Sequence, residues 1–92
     1  MPNFNQPLVS IITVVFNNDE YIRDAIESVL SQDYSRIEHI VIDGGSTDGT
    51  IDIIKEYSDK ISVFLSEPDE GIFDALNKGI VRSHGEIIGI LH

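Results

Sequence analysis

Leu8-Val-Ser-Ile-Ile-Thr-Val-Val15, running straight into Phe16-Asn17-Asn18-Asp19-Glu20, is the stretch whose reading decides the fold. The first part is almost wholly apolar and β-branched, without polar alternation, as in a strand buried on both faces of a parallel sheet. The polar run that ends it opens a helix. Asn17 and Glu20 stand at the spacing of a capping box, and Ile22, Ala25, Ile26, Val29 and Leu30 follow as one apolar stripe. After the polar turn Asp33–Arg36, the same grammar repeats. Ile37–Asp43 (IEHIVID) reads as a second strand, broken by Gly44-Gly45-Ser46. Ser46 or Thr47 then caps a second helix whose inner face carries Thr50, Ile51, Ile54 and Tyr57. Ile61–Ser66 is a third strand. Glu67-Pro68-Asp69-Glu70-Gly71 is a loop, because its proline cannot continue a central strand. A third helix places Ile72, Phe73, Leu76 and Ile80 inward and stops at Gly85, and Glu86–Leu91 is a fourth strand. The order β-α-β-α-β-α-β predicts an α/β fold: an open parallel sheet with right-handed crossovers.

Composition narrows the field. The 92 residues suffice for one small domain, and a 41% hydrophobic fraction excludes a disordered chain. Sixteen acidic against six basic residues, a formal charge of −10, speak against nucleic acid or an anionic membrane surface as partner. The absence of cysteine excludes a disulfide scaffold and thiolate metal sites. Apolar runs are strand-sized, so no helix is expected to span a bilayer. Met1–Pro7 lacks the charged and apolar regions of a secretory signal, and the expected location is cytoplasmic. Ile87–Leu91 is core-like at the very end of the chain, so residues 1–92 are expected to be a truncated piece of a larger domain.

The connections differ by end. Those entering strands are ordinary turns; those leaving strands carry Phe16-Asn17-Asn18-Asp19, Asp43-Gly44-Gly45-Ser46-Thr47-Asp48 and Glu67-Pro68-Asp69-Glu70-Gly71. Ligands of open α/β sheets bind outside the carboxyl ends of the strands, which marks this edge as the functional one. Asp43 can accept hydrogen bonds from a nucleobase imide or ribose hydroxyls, with glycines beside it that admit close approach; equally, it can organise the turn. Phe16 can stack on a base or close the top of the core. Asn17 reads most simply as a cap. Ser46-Thr47-Asp48 lies at a helix N-terminus, but Asp48 there favours capping over anion binding. Asp69 and Glu70 suit the dipole of the third helix, and Lys78 and Arg82 form a solvated cationic pair on it. His39, His84 and His92 share no metal-ligand spacing, and His39 reads as a packed, hydrogen-bonded residue. No glycine triplet follows the first strand, no P-loop occurs and no nucleophile elbow is present, which excludes the corresponding nucleotide-binding and hydrolase classes.

Together, Val9-Ser-Ile-Ile-Thr-Val-Val-Phe-Asn17, Tyr21-Ile22, Ser28-Val-Leu-Ser-Gln32, Ile40-Val-Ile-Asp-Gly-Gly-Ser-Thr-Asp-Gly-Thr50 and Gly85-Glu-Ile-Ile-Gly89 resemble the N-terminal half of family 2 glycosyltransferases. Ser66-Glu-Pro-Asp-Glu-Gly-Ile-Phe-Asp-Ala-Leu-Asn-Lys-Gly79 is similar to one bacterial branch of that family. The resemblance implies the Rossmann-like half of a GT-A fold, with strand order 3-2-1-4, and inverting transfer of a sugar from a nucleotide-diphosphate donor to an unknown acceptor. It places Val14, Phe16, Asn17, Asp43, Gly44, Asp69 and Lys78 at the nucleotide sugar, with Phe16 near the base and Asp43 accepting from a uracil-type imide. Many relatives carry Asp-Asp where this chain has Asp43-Gly44, and Ala-Arg-Asn where it has Ala75-Leu76-Asn77; Lys78 is the candidate substitute for that arginine. The family's metal-binding Asp-x-Asp follows the strand matching Glu86–Leu91. The Mn²⁺ or Mg²⁺ that offsets the donor's diphosphate is therefore expected to take its ligands, like the catalytic base, from outside these residues. This chain alone is expected to bind donor weakly and to transfer nothing. The competing expectation is a non-catalytic binding or assembly module with the same sheet. Either way, an apolar strand at Glu86–Leu91 left as an edge invites pairing into a homodimer.

Overall fold

A computed structural model describes residues 6–91; the readings made on Met1–Asn5 and on His92 lie outside them. The elements are β1 (Val9–Val15), α1 (Ile22–Leu30), β2 (Ile37–Asp43), α2 (Thr50–Glu56), β3 (Val63–Ser66), α3 (Ile72–Arg82) and β4 (Ile87–Leu91). All neighbouring strands pair in parallel, in the order β3-β2-β1-β4 that the resemblance implied. Register aligns the three functional strand ends in one row: Val15 pairs with Asp43, and Asp43 with Ser66. No helix among the described residues is long and apolar enough to cross a membrane.

Strand alternation divides the core into two layers. Val15 and Val41 pack with Ile22 and Ile26 of α1 and Ile54 of α2 on one face. Ile12, Ile40 and Ile42 pack with Ala75 of α3 on the other, with Val14 and Leu76 at its margin. Coverage on both faces explains why β1 reads as an almost wholly apolar run without polar alternation. Polar side chains are nevertheless sealed inside, two of them against each other. Thr13 Oγ1 lies 2.8 Å from His39 Nε2, both residues being buried, as a packed histidine requires.

Several local expectations are corrected. Asn17 does not cap α1: the helix begins at Ile22, with Tyr21 at the cap position and no side-chain cap bond. Asn17 instead adopts φ +47°, and its Oδ1 accepts the Thr47 N–H at 2.7 Å, so the loop prefers a bond across to its neighbour over a local cap. Ser46 and Thr47 do not cap α2, which starts at Thr50; Asp48 Oδ1 accepts the Thr50 N–H at 3.0 Å in that role. Helix α3 ends at Arg82, before Gly85. Gly85 is needed for contact: a Cβ there would lie 2.5 Å from Ser10 Oγ and 2.8 Å from the Leu8 carbonyl oxygen.

The inward face of α3 is the largest correction. Ala75 and Gly79 are its buried residues, whereas Phe73 is 85% exposed and Ile72 and Ile80 are also exposed. Gly79 is the reason. A Cβ at that position would stand 2.5 Å from Ile12 Cγ2, so the helix is drawn onto the sheet along its small-residue face and its larger side chains rotate outward. The exposed Ile72, Phe73, Ile80 and Val81 of α3 share the surface with exposed Ile87, Ile88 and Ile90 of the edge strand β4.

Candidate functional site

At the carboxyl ends of β1, β2 and β3, three loops are tied into one rim. The Asn17 N–H donates to Ser46 Oγ at 2.8 Å and the Asn18 N–H to Thr50 Oγ1 at 3.1 Å. Asp19 and Asp48 exchange bonds reciprocally: the Asp19 N–H donates to Asp48 Oδ2, and Asp19 Oδ2 accepts the Gly49 N–H. The Thr50 side-chain hydrogen bond, with these backbone N–H groups, holds the Asp48 carboxyl below its ordinary range despite partial desolvation.

Asp43 lies beneath this rim. It is fully buried, and its carboxylate accepts four hydrogen bonds: from the Gly45 and Ser46 N–H groups and Ser66 Oγ at Oδ2, and from Ser46 Oγ at Oδ1, at 2.5–3.0 Å. Alternation puts it on the Val41 face, towards α1 and α2. Of the two readings left open for Asp43, the bonds present are those of a turn organiser. Gly45 is required by that turn, since its φ is +89°.

The opening lies on the other face. A cavity of about 300 Å³ is lined by Val14, Val15, Phe16, Asp69, Gly71, Ile72 and Ala75, between the end of β1 and the start of α3. Its size is at the lower end of small-ligand sites, which are mostly apolar with a few placed polar groups. The Phe16 ring is 61% exposed at the mouth and so does not close the core. Gly44 lies next to two of the lining residues: a Cβ there would meet Asp69 Oδ2 at 2.8 Å and Phe16 Cδ1 at 3.4 Å. The structure thus brings Val14, Phe16, Gly44 and Asp69 together and leaves Asp43 and Asn17 in the supporting rim.

Lys78 is also set apart from the cavity lining. Its ammonium lies 3.1 Å from Glu67 and 3.5 Å from Asp74 and donates to the Pro68 carbonyl at 3.1 Å, which clamps the Glu67–Gly71 loop onto α3. Desolvation opposes its charge, but the Glu67 and Asp74 carboxylates outweigh this and hold its pKa above the ordinary value. The Glu70 N–H adds a bond to Asp74 Oδ2, and the Gly71 N–H one to Asp69 Oδ1. Ile72, which sequence reading assigned to the core, and Ala75, to which it gave no role, are lining residues; helical spacing signalled an apolar face without saying that its first turn would border an opening. Among the described residues, no group of three or more acidic or histidine side chains stands together to hold a metal ion.

Against known proteins, the glycosyl transferase family 2 model matches residues 10–92, nearly the whole chain. The chain belongs to glycosyl transferase family 2. An uncharacterised glycosyltransferase of Mycobacterium tuberculosis is 41% identical over 87 residues, 94% of this chain and 33% of that protein. TuaG of Bacillus subtilis, assigned to teichuronic acid biosynthesis, is 39% identical over 94% of this chain and 35% of its own length. The chain therefore spans about a third of the curated relatives it matches. Among solved structures, the mannosyltransferase PcManGT of Pyrobaculum calidifontis, in complex with GDP-Man and Mn²⁺, superposes with a TM-score of 0.83 at 26% identity, over 92% of this chain and 27% of that one. S. aureus TarS in complex with UDP-GlcNAc gives 0.83 at 25% identity, over 91% of this chain and 26% of that one. The parallel sheet of this family 2 chain is accordingly the Rossmann-like part of a GT-A fold.

Proposed function

We propose that this chain is the donor-binding part of an inverting glycosyltransferase acting on a nucleotide-diphosphate sugar. The observation that carries the reading is the apolar cleft at the carboxyl ends of β1 and α3's first turn, open beside the exposed Phe16 ring and holding one carboxylate, Asp69. The base stacks on Phe16 with Val14 beneath it. Gly44, lacking a side chain, leaves room for the Asp69 carboxylate at the cleft, and Asp43, from below, sets the loop that carries Gly44. Asn17 locks the β1–α1 loop to the β2–α2 loop, and Lys78 holds the Glu67–Gly71 border in place.

Transfer needs more than these residues. A base from outside them deprotonates an acceptor hydroxyl, which attacks the anomeric carbon as the nucleoside diphosphate leaves. A divalent cation of the kind present in the mannosyltransferase complex offsets the diphosphate charge, and groups outside the described residues hold it. The relative named for teichuronic acid biosynthesis supports a polysaccharide as the product, and the TarS complex with UDP-GlcNAc supports a nucleotide sugar as the donor. The edge strand β4, with Ile87 and Ile90 each 51% exposed, pairs with a second copy to continue the sheet.

Nuclear magnetic resonance titration of the chain with UDP and GDP, with and without Mn²⁺, tests the reading. Weak binding is expected, with shifts at Val14, Phe16, Gly44 and Gly71, no marked tightening by the metal and no sugar transfer. Phe16→Ala is expected to lower affinity without lowering stability. Absence of shifts at these residues overturns the donor reading; tight Mn²⁺-dependent binding overturns the assignment of the cation's ligands elsewhere.

A further inference from the structure

We propose that Asp69 is the residue that selects the nucleobase, and that it takes a base presenting a ring N–H, as uracil and guanine do. The inference rests on the nucleotide reading above and deepens it. Its starting point is the space over Gly44. An added Cβ at 44 would lie 2.8 Å from Asp69 Oδ2 and 3.3 Å from Asp69 Cγ, so the carboxylate of Asp69 fills the volume that a side chain at 44 would occupy. The same point is 3.4 Å from Phe16 Cδ1, so the carboxylate and the exposed ring border one spot, and both line the cavity. A base stacked on that ring therefore turns one edge to Asp69.

The two oxygens of Asp69 are not equivalent. Oδ1 accepts the Gly71 N–H at 3.0 Å, and Gly71, at φ +110°, fixes the loop just ahead of α3. Oδ2 has no hydrogen-bond donor among the described residues. Lys78, the cation on α3, is occupied by Glu67, Asp74 and the Pro68 carbonyl. The other cavity walls, Val14, Val15, Phe16, Ile72 and Ala75, bring no side-chain polar atom. Side-chain recognition of polarity in this cleft thus falls to one acceptor-only group.

An acceptor of this kind favours N–H edges. Uracil presents N3–H, and guanine presents N1–H beside its amino group. Cytosine N3 and adenine N1 carry bare lone pairs at the same edge, which face a carboxylate repulsively even where the neighbouring amino group can donate. One correctly matched edge contact gives roughly tenfold to a hundredfold discrimination.

Affinities of UDP, GDP, CDP and ADP for the full chain, measured by ligand-observed saturation-transfer titration, test this. UDP or GDP is expected to bind roughly tenfold or more tightly than CDP and ADP, and the pair identifies whether an imide or a lactam is preferred. Asp69→Asn still accepts the Gly71 N–H but can also donate, and is expected to bring the four affinities within a few-fold with unchanged thermal unfolding. Moving the carboxylate by Gly44→Asp with Asp69→Gly is expected to restore the preference. Equal binding of all four nucleotides, or a preference that survives Asp69→Asn, overturns the role of Asp69 while leaving the nucleotide reading standing. Failure of every nucleotide to bind overturns both.

Discussion

Acidification should unfold this protein through one residue, His39. Its ring is sealed beneath the sheet, 3% exposed, with Nε2 at 2.8 Å from Thr13 Oγ1 and Nδ1 buried without a partner. Burial pushes its pKa down from 6.5 to about 4. In the unfolded chain the same ring takes a proton near 6.5, so between these values the unfolded state binds more protons and stability falls as pH falls. The contribution is intact above about pH 6.5 and fully lost near pH 4. The interval from 6.5 to about 4, at about 1.4 kcal/mol per tenfold in proton affinity, amounts to about 3 kcal/mol. That is a large share of the roughly 5–15 kcal/mol that stabilises a typical domain. Urea unfolding followed by circular dichroism between about pH 7 and pH 4.5 reads the loss, and His39→Gln isolates it, because glutamine still bonds Thr13 and does not titrate. Glu38 also shifts: desolvation pushes its carboxyl up, and hydrogen bonds from His84 and Ser10 bring it below the ordinary value. Its contribution is lost at lower pH and is common to both proteins, so it cancels in the difference. A His39 ring that titrates near 6.5 in the folded protein, or an equal pH slope in His39→Gln, refutes the reasoning.

Other perturbations have defined outcomes. Gly79→Ala forces a methyl to within 2.5 Å of Ile12 Cγ2 and should cost about 1–3 kcal/mol in denaturant unfolding, less the roughly 1 kcal/mol that alanine returns in helix propensity. Asp43→Ala strands two backbone N–H groups and two serine hydroxyls; a loss of about 3 kcal/mol or more and faster amide exchange at Gly45 and Ser46 are expected. Sedimentation velocity should show concentration-dependent dimers, and Ile88→Lys on the edge strand should shift them to monomer; a wild type that stays monomeric at high concentration refutes pairing through β4.

The legible part of the fold was the part governed by local pattern. A nearly all-apolar β-branched run marked β1 as a two-sided buried strand, and the unusual loop chemistry at the exits of strands marked the edge where the cleft lies. Helix starts were less legible, because Asn17 and Ser46 have local caps available and instead bond to each other's loops, a choice made by tertiary proximity. The inward face of α3 was misread for a related reason. Hydrophobicity ranked Phe73 and Ile80 as core with Leu76, whereas the helix buries the small Ala75 and Gly79 against the sheet and keeps only Leu76 of the three at the core's margin.

The sequence by itself determined the parallel sheet, its crossovers and the edge where the cleft lies, because side-chain period and glycine and proline placement act over a few residues. Only the tertiary structure decided which carboxylate lines the cleft. Asp43 ends a strand on the face that alternation turns towards α1 and α2, where four donors take up its oxygens. Asp69, from a loop far along the chain, is folded over the bare backbone of Gly44 and leaves one oxygen without a hydrogen-bond donor among the described residues. That exchange depends on register and on the approach of two loops, neither of which is written in any single stretch of residues.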